Sequence, residues 1–208
     1  MSLKLIGGKK IQSPKSDKTR PTTLMVREAI FNILNKNVEN SNWLDLFSGS
    51  GAISCEAYNH GAKKIVAVEK DKKIALLCKK NLSSLSDLHS RENDIEVICK
   101  DVFTWIKSCK KESLLTNKER KNTIFDYVYI DPPYKNNFIG SLLENLFTSY
   151  AINENSLVIC EQSKDENIKD NCLWRIKDIR YYGQTKLTFL IKIQHARTSP
   201  VLVPSTNK

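Results

Sequence analysis

Four consecutive residues, Asp131-Pro132-Pro133-Tyr134, put a carboxylate, two prolines and an aromatic ring into one short segment. The prolines fix φ and remove two backbone donors, so the segment offers carbonyl and carboxylate acceptors but few N–H groups. An acceptor-only site suits a substrate amine with two hydrogens to donate, and the Tyr134 ring can stack on a flat base. The competing reading is a bare Pro-Pro turn after a strand.

A second candidate is Asp45-Leu46-Phe47-Ser48-Gly49-Ser50-Gly51. Glycines after a first strand let the backbone approach a ligand closely and turn into a helix. A dinucleotide fingerprint would carry a third glycine where Ser54 stands, and any tight strand-to-helix turn favours glycine. Glu69 adds weight, because it follows Gly51 by 18 residues and closes the next apolar run. A carboxylate there can accept hydrogen bonds from both ribose hydroxyls of a nucleoside. Asp101 stands at the corresponding place after a third apolar run, where it can accept from an adenine amino group or simply cap a helix.

These residues must be held by alternating strands and helices. Thr22 or Thr23 caps a helix to about Asn35, with Val26, Ile30, Ile33 and Leu34 on its buried face. Trp43 to Phe47 reads as a strand, Ala52 to Asn59 as a helix, and Lys64 to Val68 as a second strand. Asp71 caps the next helix, in which Ile74, Leu77, Cys78 and Leu85 share a face. Ile95 to Cys99 is a third strand, followed by a helix from Asp101 through Ile106 and a polar loop over residues 110–123. Phe125 to Ile130 is a nearly continuous apolar fourth strand that ends at Asp131. A helix near 138–149, a strand from Leu157 to Cys160, and a closing pair at 173–179 and 185–193 complete the pattern. Continuous apolar strands alternating with helices predict a parallel sheet covered on both faces, with ligands at the C-terminal strand ends. The candidate residues fall at those ends.

Composition sets the class. The chain has 208 residues, 40% hydrophobic and 27% charged, which suits one ordinary globular domain. No apolar run approaches the roughly 20 residues that cross a bilayer, so a membrane partner is not expected and the cytoplasm is the expected location. Six cysteines form no close pair, so they read as reduced, mostly buried small hydrophobes, and no metal site is indicated. Lys and Arg number 33 against 23 Asp and Glu, a net charge of +10. Part of the excess is clustered: Lys4, Lys9, Lys10, Lys15, Lys18 and Arg20 lie in residues 1–20, which read as a basic arm. A second run holds Lys107, Lys110, Lys111, Lys118, Arg120 and Lys121. Such patches neutralise phosphates, or else form a solvated lysine-rich surface.

Taken together, these motifs resemble a known family. Asp-Pro-Pro-Tyr after a fourth strand is similar to the motif of amino-directed nucleic-acid methyltransferases, and the wider pattern resembles the RsmD family of ribosomal RNA guanine-N2 methyltransferases. The resemblance is carried by Arg20-Pro21-Thr22-Thr23, Val26-Arg27-Glu28, Phe31-Asn32, residues 44–57, Val68-Glu69-Lys70-Asp71, the Asp131 segment and Tyr182-Gly183-Gln184-Thr185. It covers roughly residues 18–193, leaving residues 194–208 as a loose tail.

The resemblance implies a Rossmann-like class I methyltransferase: a mostly parallel seven-stranded sheet with an antiparallel last strand and helices on both faces. It implies S-adenosylmethionine as cofactor and 16S rRNA, within an assembling or assembled small ribosomal subunit, as partner. On that resemblance Asp45, Gly49 and Gly51 would line the methionine side of the cofactor, with Phe47 in the same site. Glu69 would hold the ribose, Asp101 the adenine, and Arg20 with Thr22 would help close the pocket. Asp131 and the Pro132 carbonyl would take the guanine N2 hydrogens, with Pro133 shaping the segment and Tyr134 stacking. The residues alone leave an adenine-N6 methyltransferase open, since that amine offers the same two hydrogens. Rivals of other classes are a NAD-dependent oxidoreductase, disfavoured by Ser54, and a non-catalytic RNA-binding module.

Overall fold

The computed structural model of the protein describes residues 2–14, 22–89, 94–115, 123–133, 138–168 and 172–193. The chain begins with an antiparallel hairpin, β1 (Ser2–Lys4) and β2 (Lys10–Gln12). There follow α1 (Leu24–Leu34), a 3-10 turn (Asn35–Val38), β3 (Asn42–Leu46) and α2 (Ala52–Asn59). Next come β4 (Lys64–Glu69), α3 (Lys72–His89), β5 (Asp94–Cys99) and α4 (Val102–Leu115). The chain continues with β6 (Tyr127–Ile130), α5 (Phe138–Phe147), β7 (Leu157–Ser163), β8 (Trp174–Tyr182) and β9 (Thr185–Lys192).

Seven strands form one sheet in the order β5-β4-β3-β6-β7-β9-β8, and β9, the last in the chain, runs antiparallel to both its neighbours. The chain builds outward from β3 through β4 to β5, then crosses back to lay β6 on the other side of β3. The ends of β3 and β6 therefore mark the point where the winding reverses, the place where open α/β sheets bind ligands.

Side chains alternate between the two faces of the sheet. Trp43, Ile65, Ala67, Tyr129, Ile159, Leu187 and Phe189 pack with α1, α2 and α3 in one core cluster. Leu44, Leu46, Val66, Val68, Val128, Ile130 and Cys160 pack with α4 and α5 in the other. Burial on both faces explains why these strands read as continuous apolar runs.

The first residues depart from the sequence reading. The basic arm expected over 1–20 is instead a hairpin for its first part, with Leu5 1% and Ile11 3% exposed inside the first core cluster. Two well-spaced apolar side chains anchor it while its lysines stay at the surface. Residues 15–21, and with them Arg20, lie outside the described residues, as do 116–122, Tyr134 and 194–208.

Three smaller differences have local causes. Thr23 caps α1 by accepting from the Val26 N–H at 3.3 Å, but Ile33 is 40% exposed beside an open cavity, and Arg27 is buried in its place. Helix α4 runs on to Leu115 where a loop was expected from residue 110, since Lys and Glu are good helix formers. Of the cysteines, Cys55, Cys78 and Cys160 are buried, whereas Cys99 and Cys172 are exposed.

Candidate active site

The turn after β3 is built for a close approach. Phe47, Gly49 and Gly51 all have positive φ, at 65°, 53° and 79°. A bulky residue such as Phe47 rarely adopts that region. The two glycines do different work. A Cβ on Gly49 would meet nothing within 4 Å, so this position borders open space. A Cβ on Gly51 would lie 2.5 Å from the Cys78 sulfur, so this glycine lets α3 close against the turn.

Glu69, at the end of β4, ties the turn down. Its Oε2 accepts the Gly49 N–H at 3.0 Å and its Oε1 accepts the Asp71 N–H at 2.8 Å. Each carboxylate oxygen keeps lone-pair capacity for a further donor. Asp101 caps α4, its Oδ1 accepting from the Thr104 N–H at 3.0 Å, and its side chain is exposed at the end of β5. Glu69 ends β4 and Asp101 lies just past β5, at the strand C-termini where the sequence reading placed them.

Asp45 is 1% exposed on β3, and its Oδ2 accepts from the Ser54 hydroxyl at 2.6 Å. Burial pushes its carboxyl up to about 7, more than that hydrogen bond lowers it. Ser54, where a dinucleotide fingerprint would have glycine, is thus the partner of this buried acid. Asp131, just past β6, is partly buried, with Pro132 buried and Pro133 exposed beside it. Burial first, then the Glu161 and Asp45 carboxylates, hold the Asp131 carboxyl well above the usual range.

Strand parity explains why these acids meet. Asp45 pairs with Tyr129 in register, and Ile130 pairs with Cys160. Asp45, Tyr129, Asp131 and Glu161 are therefore on one face, the face that α1 and α2 cover. Thr22, just before α1, reaches them: its hydroxyl lies 3.3 Å from the Tyr129 oxygen and 3.5 Å from Asp131 Oδ2. Tyr129 in turn donates a short hydrogen bond to Glu161 Oε2. Thr22 is itself held by Arg27, which donates to the Thr22 carbonyl at 2.5 Å, to the Lys4 carbonyl at 2.6 Å and to Glu56 at 3.2 Å. A buried guanidinium with these three partners is a rigid clamp between hairpin, helix and site.

A cavity of about 480 Å³ lies elsewhere, at the opposite end of the sheet, lined by Asn40, Ser41, Asp126 and Tyr127. It sits at the N-terminal strand ends, away from every acid described above. Position at the carboxyl ends, not cavity size, marks the candidate site.

Comparison with known proteins agrees with this geometry. A family model described as Conserved hypothetical protein 95 matches residues 4–191. The ribosomal RNA small subunit methyltransferase D of Buchnera aphidicola (subspecies Acyrthosiphon pisum) is 31% identical over 161 residues, 77% of this chain and 76% of its own length. The chain belongs to the RsmD family. Its fold matches that of a putative methyltransferase, yhhF, from Escherichia coli, with TM-score 0.74, 23% identity, and 92% and 98% of the two chains covered. A putative methylase from Haemophilus influenzae superposes with TM-score 0.71 at 25% identity, covering 93% of this chain and 100% of that one. The family match starts at residue 4, the last residue of β1, and so includes β2.

Several residues of this candidate site escaped the sequence reading. Tyr129 looked like one more apolar strand position, and Glu161 lay beyond the expected end of its strand at Cys160. Strand β7 continues through Glu161 and Gln162 because β9 pairs with it there, Glu161 opposite Leu187 and Gln162 opposite Lys186. Gln162 is also satisfied by the Thr188 hydroxyl at 3.0 Å. The available signal was an acid placed directly after a buried apolar run. Arg27 gave a similar one, a charge on the apolar face of α1.

Proposed function

We propose that this protein transfers a methyl group from S-adenosylmethionine to the exocyclic N2 of a guanine in 16S rRNA of the small ribosomal subunit. The observation that carries the reading is Asp131. It is a carboxylate acceptor followed by two prolines, placed at the reversal point of the sheet beside the open backbone of Gly49.

The residues present fit the cofactor. Gly49 leaves room for close approach, Glu69 supplies ribose acceptors, Asp101 can accept from the adenine amine, and Asp45 offers a carboxylate near the methionine end. S-adenosylmethionine, when bound, supplies an electrophilic methyl group on a sulfonium leaving group. The protein's contribution is then chiefly positioning. An aromatic amine is a weak nucleophile because its lone pair is delocalised into the ring. Asp131 and the Pro132 carbonyl, by accepting its two hydrogens, raise electron density on the nitrogen and aim its lone pair. Tyr134 stacks on the base, which must leave its own stack to enter the site. Arg20, by the family resemblance, helps close the pocket. The exposed Lys4 and Lys10 of the hairpin supply phosphate contacts, and the Lys4 carbonyl accepts from Arg27, which also holds Thr22.

Undermethylated small subunits, incubated with protein and tritiated cofactor and then digested to nucleosides, give the test. N2-methylguanosine is the expected labelled product, and N6-methyladenosine would overturn the guanine assignment. Asp131→Ala is expected to lower kcat about a hundredfold or more while S-adenosylhomocysteine binds normally, because the lost acceptor acts mainly in the transition state.

A further inference from the structure

Asn81, in α3, is a buried amide, 2% exposed. Its Oδ1 accepts the Gln12 N–H at 2.9 Å, and its Nδ2 donates to the Gln12 carbonyl at 2.9 Å and to the Ser50 carbonyl at 2.9 Å. Gln12 ends β2, so one side chain takes both main-chain groups of that residue, as a neighbouring strand would. Ser50 is in the turn after β3. Turning the amide over would set its NH2 against the Gln12 N–H and its oxygen against two carbonyls. Its partners therefore permit a single orientation, and hairpin, helix and turn are bound into one unit.

The turn has little stiffness of its own. Gly49 and Gly51 have φ of 53° and 79°, and glycine reaches many other conformations at little cost. Its peptide units are held from outside instead. Glu69 accepts the Gly49 N–H at 3.0 Å and so fixes the Ser48–Gly49 unit. The Ser50–Gly51 unit is fixed at both ends, its carbonyl by Asn81 and its N–H by the Ser48 carbonyl at 2.8 Å. The Gly49–Ser50 unit lies between them, so its direction is set from two sides. Cys78, about one turn before Asn81 on α3, is the residue that packs on Gly51. Helix α3 thus meets the turn twice, once by packing and once by a hydrogen bond. Other main-chain ties of the hairpin lead away from the turn: the Ile6 N–H goes to Glu56 and the Lys4 carbonyl to Arg27.

On the reading above that the turn after β3 holds the cofactor, whichever base is methylated, we propose that Asn81 is a positioning residue for S-adenosylmethionine. It fixes the Ser50 carbonyl and takes its own orientation from the main chain of β2, which makes the N-terminal hairpin a working part of the cofactor site. Holding the turn in one conformation before the ligand arrives lowers the ordering cost of binding. Docking of β2 and binding of the cofactor then strengthen each other by the same factor. The link runs through main-chain groups of Gln12, so substitutions of the hairpin lysines leave it intact.

Asn81→Asp and Asn81→Ala separate this role from packing. Aspartate has the same shape and still accepts from the Gln12 N–H, but it sets a carboxylate oxygen against the Ser50 and Gln12 carbonyls. Leu85→Val is the control, at a buried apolar position about one turn further along α3. Calorimetry with S-adenosylhomocysteine, run well below each Tm, is expected to show Kd raised at least about fivefold in both Asn81 variants, the worth of one buried hydrogen bond. Leu85→Val is expected to lower Tm and leave Kd unchanged. A smaller rise in folded Asn81 variants, or an equal rise in Leu85→Val, overturns the proposal. Hydrogen exchange of the wild type needs no substitution. Saturating S-adenosylhomocysteine is expected to slow exchange of the Gln12 amide at least about fivefold. Unchanged exchange overturns the proposal, as does a slowing that persists in Asn81→Asp, which would mark general stabilisation. A wild type that binds no S-adenosylhomocysteine strikes the reading of the turn, and the role of Asn81 falls with it.

Discussion

Replacing Gly51 and Gly49 by alanine in parallel separates the two tasks of the turn after β3. Gly51→Ala places a Cβ 2.5 Å from the Cys78 sulfur at φ 79°. Left-handed backbone costs a non-glycine residue roughly 1–2 kcal/mol, and overpacking a closed contact adds typically about 1–3 kcal/mol. The middle of the combined range is about 3.5 kcal/mol, which for a chain of this size lowers Tm by roughly 7–14 °C. Gly49→Ala carries only the backbone part, because its Cβ meets nothing within 4 Å. Its loss of stability is therefore expected to be about 1–2 kcal/mol, with the larger effect falling on cofactor affinity. Thermal and urea unfolding of wild type, Gly51→Ala, Cys78→Ala and the double variant isolate the contact. The double variant is expected to recover about 1–3 kcal/mol relative to additivity, the steric share alone. A coupling below about 0.5 kcal/mol would show that Gly51 does not hold α3 against the turn. Calorimetry with S-adenosylhomocysteine completes the comparison, and equal affinity losses in the two alanine variants would refute the division of labour.

Three further expectations follow from the same geometry. Glu69→Gln is expected to weaken S-adenosylhomocysteine binding about ten- to a hundredfold in calorimetry, the worth of a charge-assisted hydrogen bond, with the fold intact. Unchanged affinity would remove Glu69 from the ribose role. Leu5→Ala is expected to destabilise the whole domain by about 2–5 kcal/mol in urea unfolding, although it lies five residues from the start of the chain. A variant as stable as wild type would mean that the hairpin is dispensable to the core. The pair Lys4→Gln and Lys10→Gln is expected to flatten the salt dependence of RNA binding by about 1.4–1.8 in log–log slope while cofactor affinity holds, and an unaltered slope would place the RNA contacts elsewhere.

The sequence by itself determined the elements that depend on short-range rules. Apolar runs bounded by glycine, proline and charge located the strands, and cap residues such as Thr23, Asp71 and Asp101 located helix starts, because each hydrogen-bonds to backbone within three residues. The carboxylates at strand ends were legible for the same reason, since a parallel sheet makes the end of each apolar run a potential ligand edge. Tertiary structure decided what depends on register and long-range pairing. Glu161 belongs to the site only because β9 extends β7 past Cys160 and because Ile130 is in register with Cys160, which puts the acid beside Asp131. Gly51, expected to line the cofactor site, carries a packing constraint that the local pattern did not show, because Cys78 comes from a helix later in the chain. The hairpin looked like a free arm because its two buried side chains, Leu5 and Ile11, find their partners on α1, α2 and α3. Local pattern fixes which groups are available. Which of them share a face is set by sheet order and by strand register.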